Sequence, residues 1–212
     1  ISVIFLKKGA FFMNDLSLER IRALLARIDR LMAERERVIV AVDGGSASGK
    51  TTLGELLQGA YACPVFHMDD FFLRPEQRTP ERFAQPGGNV DRERFLSEVL
   101  LPLRQGKAVD YRRFDCASFT IAPPERIEAG RLSIVEDAYA MHPDLAMHYD
   151  LTVFLSVSPE KQRERILKRN APAQAKLFFE RWIPFEQRYF SALSVPERCD
   201  LILSGDDQTS VP

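Results

Sequence analysis

The stretch VIVAVDGGSASGKTT, residues 38–52, decides the fold class. Its first five residues are apolar and mostly β-branched, which is typical of a strand buried on both faces of a sheet. Gly44, Gly45 and Gly49 then indicate a turn, and a helical pattern runs from Lys50 to about Gln58. This order of strand, glycine-rich turn and helix predicts an α/β protein with a parallel sheet.

The turn itself, residues 44–51, matches the phosphate-loop pattern G-x-x-x-x-G-K-[ST]. Glycines let consecutive backbone N–H groups point at a phosphate, and the N-terminus of the next helix adds a partial positive charge. Lys50 is predicted to reach the β- and γ-phosphates as a catalytic cation, and the Thr51 hydroxyl to bind Mg²⁺. The sequence therefore predicts binding of ATP with Mg²⁺. The predicted nucleotide-binding residues are Gly44, Gly45, Ser46, Ala47, Ser48, Gly49, Lys50, Thr51 and Thr52.

Strand and helix patterns alternate along the rest of the chain. Strands are predicted at residues 65–68, 132–135, 151–157 and 201–203, and helices at 16–35, 92–104, 159–169 and 173–193. We therefore expect one α/β domain with a mostly parallel central sheet between two layers of helices. Residues 74–89, rich in Pro and Gly, predict a long loop of functional importance.

Two of the predicted strands end in paired acids, Asp69 with Asp70 and Glu136 with Asp137. Because the carboxyl ends of parallel strands border the ligand crevice, both pairs are expected to face the nucleotide. One pair could hold Mg²⁺ and the other accept a proton. With an ordinary pKa of about 4, Asp69 would be ionised at pH 7 and would orient an attacking hydroxyl. Taken alone, either pair is also compatible with a helix cap or a solvated loop.

Composition limits the partners. The 29 basic and 30 acidic residues give a formal charge of −1, which argues against binding of nucleic acid. No apolar run approaches the roughly 18 residues that a membrane span needs. Cys63, Cys116 and Cys199 are odd in number and far apart, so we expect reduced thiols in a cytoplasmic protein. Whether the chain forms a homo-oligomer stays open.

The N-terminal stretch, residues 1–12, lacks acidic residues and any periodicity that continues into the next segment. Met13 precedes a helix start with Ser17 as a candidate N-cap, so residues 1–12 are expected to be a non-native or disordered leader. The alternative is a genuine, poorly ordered arm. Residues 13–212 are expected to form the single domain.

Taken together, the motifs resemble those of the uridine kinase and phosphoribulokinase-like group of P-loop small-molecule kinases, to which nicotinamide riboside kinase is also similar. The similar stretches are GGSASGKTT (44–52), HMDDFF (67–72), NVD (89–91), VDYRRFD (109–115), IVEDAYAMHP (134–143) and KQRERILKR (161–169). The resemblance implies a three-layer P-loop kinase fold with a small lid at about residues 163–182. It also implies an ATP- and Mg²⁺-dependent phosphotransferase acting on a hydroxyl of a nucleoside-like or other polyhydroxy metabolite.

The resemblance implies roles for single residues as well. Asp69, the first acid of the D-x-F-[FY] element, would be the general base beside the acceptor hydroxyl. Glu136 would assist Mg²⁺, and Asp91 would hydrogen-bond hydroxyls of the acceptor. Arg165 and Arg169 are the best matches for the arginines that clamp the transferred phosphoryl group.

Three points stay open at this stage. Tyr111 and Arg113 belong to a cluster that either lines an acceptor pocket or forms a strand edge with solvated charges. Asp137 stands where the group usually has Gly, which brings a second charge to the metal region. A nucleoside monophosphate kinase and a P-loop ATPase without a small-molecule acceptor are the alternative functions. A GTPase is disfavoured because the N-K-x-D guanine motif is absent from the sequence.

Overall fold

Five parallel strands form the centre of the structure, a computed structural model that describes residues 18–206. The described strands are β1 (Val38–Gly44), β2 (Val65–His67), β3 (Val109–Tyr111), β4 (Phe114–Asp115), β5 (Thr120–Ile121), β6 (Glu125–Ile127), β7 (Leu132–Glu136), β8 (Leu151–Ser156) and β9 (Leu201–Ser204). The central sheet has the order β2-β7-β1-β8-β9. The strand that precedes the phosphate loop is therefore the middle strand.

Helices cover both faces of this sheet. The described α-helices are α1 (Leu18–Glu34), α2 (Lys50–Tyr61), α3 (Pro80–Ala84), α4 (Arg92–Phe95), α5 (Leu101–Arg104), α6 (Pro143–Ala146), α7 (Pro159–Arg169), α8 (Pro172–Leu177), α9 (Ile183–Ala192) and α10 (Val195–Arg198). The π-helical segments Leu96–Leu100 and Phe178–Trp182 join α4 to α5 and α8 to α9. None of the described helices is long and apolar enough to cross a membrane.

Successive side chains of β1 point to opposite faces of the sheet, which explains the three layers. Val38, Val40 and Val42 pack into a core with α1 and α2, whereas Ile39 and Ala41 pack into a second core on the other face. Both cores are apolar and closed to water. The predicted α/β class with a parallel sheet between two helical layers is therefore confirmed.

The predicted strands and helices are confirmed to within a few residues, with two differences. Residues 74–89 are not a plain loop, because they contain a 3₁₀ turn (Pro75–Gln77) and α3. The two antiparallel ribbons, β3 with β6 and β4 with β5, are not among the predicted strands, although a strand edge was one of the two alternatives for the cluster with Tyr111 and Arg113. The expectations for residues 1–12, Met13 and Ser17 lie outside the described residues.

Register brings three strand ends to one place. Val42 of β1 and His67 of β2 are both Cα partners of Glu136 on β7, which lies between them. The phosphate loop leaves β1 here, and Asp69 follows β2 in a 3₁₀ turn (Met68–Phe71). The sheet thus gathers the residues of the candidate site at its carboxyl edge.

Asp43 is fully buried where β1 enters the phosphate loop. Its carboxylate accepts hydrogen bonds from the N–H of Gly44 (2.6 Å), the N–H of Met141 (2.9 Å) and the hydroxyl of Tyr189 (2.8 Å). Burial outweighs these bonds and raises the pKa of Asp43 to about 6. Asp43 therefore connects the loop to α9 as a carboxyl group that titrates near neutrality.

We expect Asp43 to make the protein less stable as the pH rises from about 4 to 6. In that window the folded protein still binds a proton that the unfolded chain has released, so the free energy of unfolding falls, by about 3 kcal/mol over the window. Urea unfolding of the wild type and of Asp43→Asn at several pH values measures this contribution. It is the difference between the two proteins in the slope of the free energy of unfolding against pH. Equal slopes in the two proteins would show that Asp43 does not titrate there.

Candidate active site

The backbone of the phosphate loop requires glycine at particular positions. A Cβ on Gly44 would lie 2.4 Å from the carbonyl oxygen of Leu155, so β8 leaves no room for a side chain. Gly49 has a φ of 104°, in the left-handed region that favours glycine, and a Cβ there would meet nothing within 4 Å. The loop therefore needs Gly44 for its packing on the sheet, and at Gly49 it borders open space.

Lys50 begins α2 and is 6% exposed. Its Nζ donates to the carbonyl oxygen of Gly45 (3.0 Å) and lies 3.7 Å from Oδ1 of Asp137. Burial lowers the pKa of Lys50, but neighbouring negative charges outweigh it and the net shift is upward. The carboxylates that do so belong to Asp137, Glu186, Glu136 and Asp69. Lys50 is therefore a charged ammonium group at the centre of an acidic cluster.

Glu136, the last residue of β7, is 1% exposed. Its Oε1 lies 2.8 Å from Nδ1 of His67, and this hydrogen bond raises the pKa of the imidazole. The other oxygen, Oε2, is buried and has no hydrogen-bond partner among the described residues. A buried carboxylate oxygen without a partner is unfavourable unless a cation or donor binds it.

Asp69 and Asp137 face each other across the crevice. Partial removal from water and the adjacent charge of Asp137 raise the pKa of Asp69 well above its ordinary value, although the side chain keeps an exposed surface. The two carboxyl groups interact, so ionisation of one disfavours ionisation of the other. The expectation of an ordinary pKa for Asp69 is wrong, because two acids this close cannot both ionise freely.

Glu186 on α9 was not predicted as a site residue, yet it contacts the phosphate loop directly. Its carboxylate accepts from the Ser46 N–H (2.8 Å) and from the Ser46 hydroxyl (2.5 Å), and it is 5% exposed. Gln162 on α7 donates to the carbonyl oxygen of Ser46 (2.8 Å). The backbone of Ser46 is thus held at its N–H by α9 and at its carbonyl oxygen by α7, two helices that are distant from it in sequence.

We expect Glu186→Ala to weaken ATP binding about tenfold, because the loop loses two hydrogen bonds that fix its conformation before the nucleotide arrives. Glu186→Gln removes the charge but keeps an oxygen that can accept from the Ser46 N–H. ATP affinity of this variant should stay within about threefold of the wild type. Calorimetry on both variants checks this, and an equal loss in both would mean that the charge of Glu186, rather than loop positioning, supports binding.

Asp91 and Arg113 both contact the 3₁₀ turn (Met68–Phe71) that contains Asp69, and the Asp91 N–H donates to the Phe71 carbonyl oxygen (2.7 Å). Asp91 is 1% exposed, caps α4 by accepting from the N–H of Arg94 (3.1 Å), and lies 3.6 Å from Nε of Arg74. Arg113 is exposed and lies 3.5 Å from Oδ2 of Asp70. Asp91 lines a cavity of about 620 Å³, together with residues from α4 and the segment before it.

Tyr111 is placed differently from its predicted role at the acceptor. It is 1% exposed, packs against Phe66 and Phe71, and donates its hydroxyl to Oδ2 of Asp70 (2.7 Å). Because β3 is buried beneath the 3₁₀ turn, Tyr111 offers no surface to an acceptor in this structure. It instead fixes Asp70, the neighbour of Asp69.

Comparison with known proteins shows which family the chain belongs to. No family model matches the chain. It is 24% identical over 202 residues to uridine kinase-like protein 3 of Arabidopsis thaliana, covering 85% of this chain but 43% of that protein. It is 30% identical over 143 residues to a uridine kinase of Chloroflexus aggregans, covering 63% of this chain and 68% of the relative. The chain belongs to the uridine kinase-like family of P-loop kinases.

A solved structure described as a possible uridine kinase from Bacillus stearothermophilus supports the fold. It superposes with a TM-score of 0.60 at 20% identity, covering 85% of this chain and 98% of that one. At this identity the likeness concerns the fold alone. The three-layer P-loop kinase fold is therefore established for this uridine kinase-like chain.

The two arginines expected to clamp the phosphoryl group in this uridine kinase-like chain have other contacts in the structure. Arg165 donates to the carbonyl oxygens of Ala47 (2.9 Å) and Gly205 (2.8 Å), so it supports the phosphate loop from α7. Arg169, at the end of α7, stacks over the ring of Phe178 at 5.6 Å. These contacts are with the phosphate loop, the end of β9 and an aromatic ring, and the clamping role stays a prediction.

Asp137 has a backbone conformation that is unusual for a residue with a side chain. Its φ of 129° lies in a region that glycine favours, and its N–H donates to the carbonyl oxygen of Val42 (3.1 Å). An Asp in this conformation costs about 1–3 kcal/mol. This conformation places Oδ1 of Asp137 3.7 Å from Nζ of Lys50.

Proposed function

We propose that this chain transfers the γ-phosphoryl group of ATP to a hydroxyl group of a nucleoside-like or other polyhydroxy metabolite. The observation that supports this most directly is the convergence of Lys50, Asp69 and Glu136 beside a phosphate loop at the carboxyl edge of the sheet. Phosphoryl transfer needs positioning and charge neutralisation more than covalent chemistry, and these groups supply both. Because the chain spans less than half of one relative and about two thirds of another, the acceptor of this chain is part of the proposal.

In this proposal the backbone of residues 44–52 binds the triphosphate, and the Lys50 ammonium turns from the Gly45 carbonyl to the β- and γ-phosphates. Thr51 and Glu136 would hold Mg²⁺, which fits the buried, unpartnered Oε2 of Glu136. The ion would neutralise charge on the phosphates. Arg165 and Arg169 would approach the transferred group through movement of α7 and α8.

Asp69 would hydrogen-bond the attacking hydroxyl and receive its proton. Its exposed surface suits contact with an incoming molecule, and its raised pKa makes it a better proton acceptor than an ordinary carboxylate. A proton held on Asp69 has to leave before this happens. The approach of Lys50 and of a cation to Asp137 favours that loss.

The cavity beside Asp91 supports a neutral acceptor over a phosphorylated one. Four arginines line it, but each already has a partner: Arg82 pairs with Glu93 (2.7 Å), Arg112 with Glu98 (2.5 Å), Arg74 with Glu76 (3.2 Å), and Arg94 with two backbone carbonyl groups. A nucleoside monophosphate kinase needs arginines available for the acceptor phosphate. We therefore favour an acceptor recognised by its hydroxyl groups.

The test is an ATP-consumption assay with the full chain and a panel of nucleosides, sugars, vitamins and nucleoside monophosphates. Release of ADP that depends on a hydroxylated acceptor, with the phosphorylated product identified by mass, supports the proposal. Stimulation by monophosphates alone favours the monophosphate kinase, and acceptor-independent hydrolysis favours an ATPase. A cytoplasmic location, where ATP is abundant and thiols stay reduced, belongs to the same proposal.

A further inference from the structure

One face of α9 contacts three separate parts of the candidate site. The side chains that do so are spaced i, i+4 and i+7, and they belong to Trp182, Glu186 and Tyr189. Tyr189 donates to the carboxylate of Asp43 at the end of β1, and Glu186 accepts from Ser46 of the phosphate loop. Two of the three contacts therefore hold this helix face against the nucleotide side of the site.

The third contact extends the same face to the turn that contains the proposed general base. The ring of Trp182 lies 6.4 Å from the ring of Phe72, tilted by 33°, and both side chains are half-buried. Phe72 comes directly after the 3₁₀ turn Met68–Phe71, which contains Asp69. The backbone of Phe72 also forms a β-bridge with Val90. Trp182 therefore packs against the residue at which this turn is attached to the rest of the fold.

The contact between Trp182 and the turn is looser than the aromatic contacts of the core. Trp182 has its ring centroid 6.4 Å from Phe72 and 6.3 Å from Phe185, whereas Tyr139 and Tyr189 in the core are 4.9 Å apart. Dispersion attraction weakens steeply over such differences, so this contact can tighten without disturbing the core. Trp182 also ends a π-helical turn, a rare feature that is frequent at functional sites.

We propose that Trp182 is a positioning residue. Packed on Phe72, it holds the turn that contains Asp69, and α9 links it to the phosphate loop through Glu186. Trp182 and Glu186 are one helical turn apart, about 6 Å, so a shift of Ser46 on nucleotide binding moves both side chains together. Nucleotide binding thereby orders the turn before phosphoryl transfer. The inference rests on the proposed function for the role of Asp69, but the link itself needs no acceptor.

Fluorescence tests the link to the phosphate loop, because Trp182 is the only tryptophan in the chain. Acrylamide quenching is measured on the full chain with and without a saturating non-hydrolysable ATP analogue and Mg²⁺, in the absence of any acceptor. We expect the analogue to lower the quenching constant about twofold or more in the wild type and to leave it unchanged in Glu186→Ala.

The outcomes of this experiment distinguish the two proposals. Calorimetry establishes first that the analogue binds. Binding without a change in quenching, or an equal change in Glu186→Ala at saturation, would overturn the positioning role and leave the proposed kinase function intact. Absence of binding would contradict both proposals.

Hydrogen exchange tests the link from Trp182 to the turn. In the wild type the same analogue should slow amide exchange of residues 68–72 about fivefold or more. The slowing should be lost in Trp182→Ala and restored in Trp182→Phe, which keeps a ring against Phe72. Phe179→Ala is the matched control and should retain the slowing, because Phe179 is in the same π-helical turn but lies under the guanidinium group of Arg163 at 4.7 Å.

Two results would overturn the role of Trp182 at the turn. One is slowing in Trp182→Ala equal to that in the wild type. The other is exchange that is faster in Trp182→Ala by the same factor with and without the analogue, since Trp182 would then only stabilise the fold.

Discussion

Asp69→Asn is expected to lower kcat of phosphoryl transfer by a factor of about 10²–10⁴, the usual contribution of a general base. Asparagine keeps the size of the side chain and can still hydrogen-bond Asp137, but it cannot accept a proton from the attacking hydroxyl. ATP affinity should change little, because the phosphate loop and Lys50 stay in place. The expected result is thus a protein that binds ATP and fails to transfer its phosphoryl group.

The adjacent acid gives a matched control for this experiment. Asp70 lies on the same 3₁₀ turn, but it accepts from the Tyr111 hydroxyl (2.7 Å) and faces Arg113. Asp70→Asn should lower kcat by less than about tenfold, the range of a positioning effect through one hydrogen bond. Single-turnover kinetics and calorimetric ATP binding on both variants separate the two roles. Near-normal turnover of Asp69→Asn, or an equal loss in Asp70→Asn, would remove Asp69 as the base.

The sequence was sufficient to predict the central sheet because each of its strands is marked by a pattern within a few neighbouring residues. The inner strands are short, mostly apolar runs buried on both faces, as in residues 38–42 and 151–155, whereas the edge strands β2 and β9 are only partly buried. The antiparallel ribbons escaped prediction because their strands have only two or three residues. At that length β-propensity and alternation contain too little information to distinguish a strand from a loop.

The candidate site was predictable only where its residues are neighbours in sequence. The phosphate loop and the paired acids follow strands directly, so sheet topology alone brings them together. Glu186 contacts Ser46 across 140 positions of sequence, and no local pattern marks it except an acid on a largely buried helix face. The interaction that raises the pKa of Asp69 beside Asp137 is equally invisible in the sequence, since it depends on how two separate segments fold together.

Tyr111 illustrates a further limit of motif-based prediction. An aromatic residue in a charged cluster is compatible with a binding surface and with a core position, and the periodicity of a three-residue strand cannot decide between them. The structure has Tyr111 buried, with its hydroxyl bonded to Asp70 and to the N–H of His67 (3.0 Å). Its effect on the site is therefore indirect, through the turn that positions Asp69.

Lys50→Met is expected to have the largest effect, a fall in kcat/KM of at least about 10³. Methionine fills a similar volume but leaves four carboxylates facing the triphosphate without the ammonium group that offsets them. Lys50→Arg should not restore activity, because the buried ammonium group bonds the Gly45 carbonyl oxygen at 3.0 Å as a compact point charge, a geometry that a planar guanidinium group does not reproduce. Both ATP binding and transfer should therefore fail.

Lys161→Met is the matched control for Lys50→Met, because it removes a positive charge away from the phosphate loop. Lys161 lies on α7, pairs with Glu164 at 3.3 Å and is partly exposed, so Lys161→Met should keep turnover within about twofold. Initial rates at saturating acceptor, with urea unfolding to verify that each variant is folded, measure the difference. If folded Lys50→Met kept more than about a tenth of the wild-type rate, the transferred phosphoryl group would have to be neutralised elsewhere. The acidic cluster would then have to recruit cations from solution rather than rely on its own ammonium group.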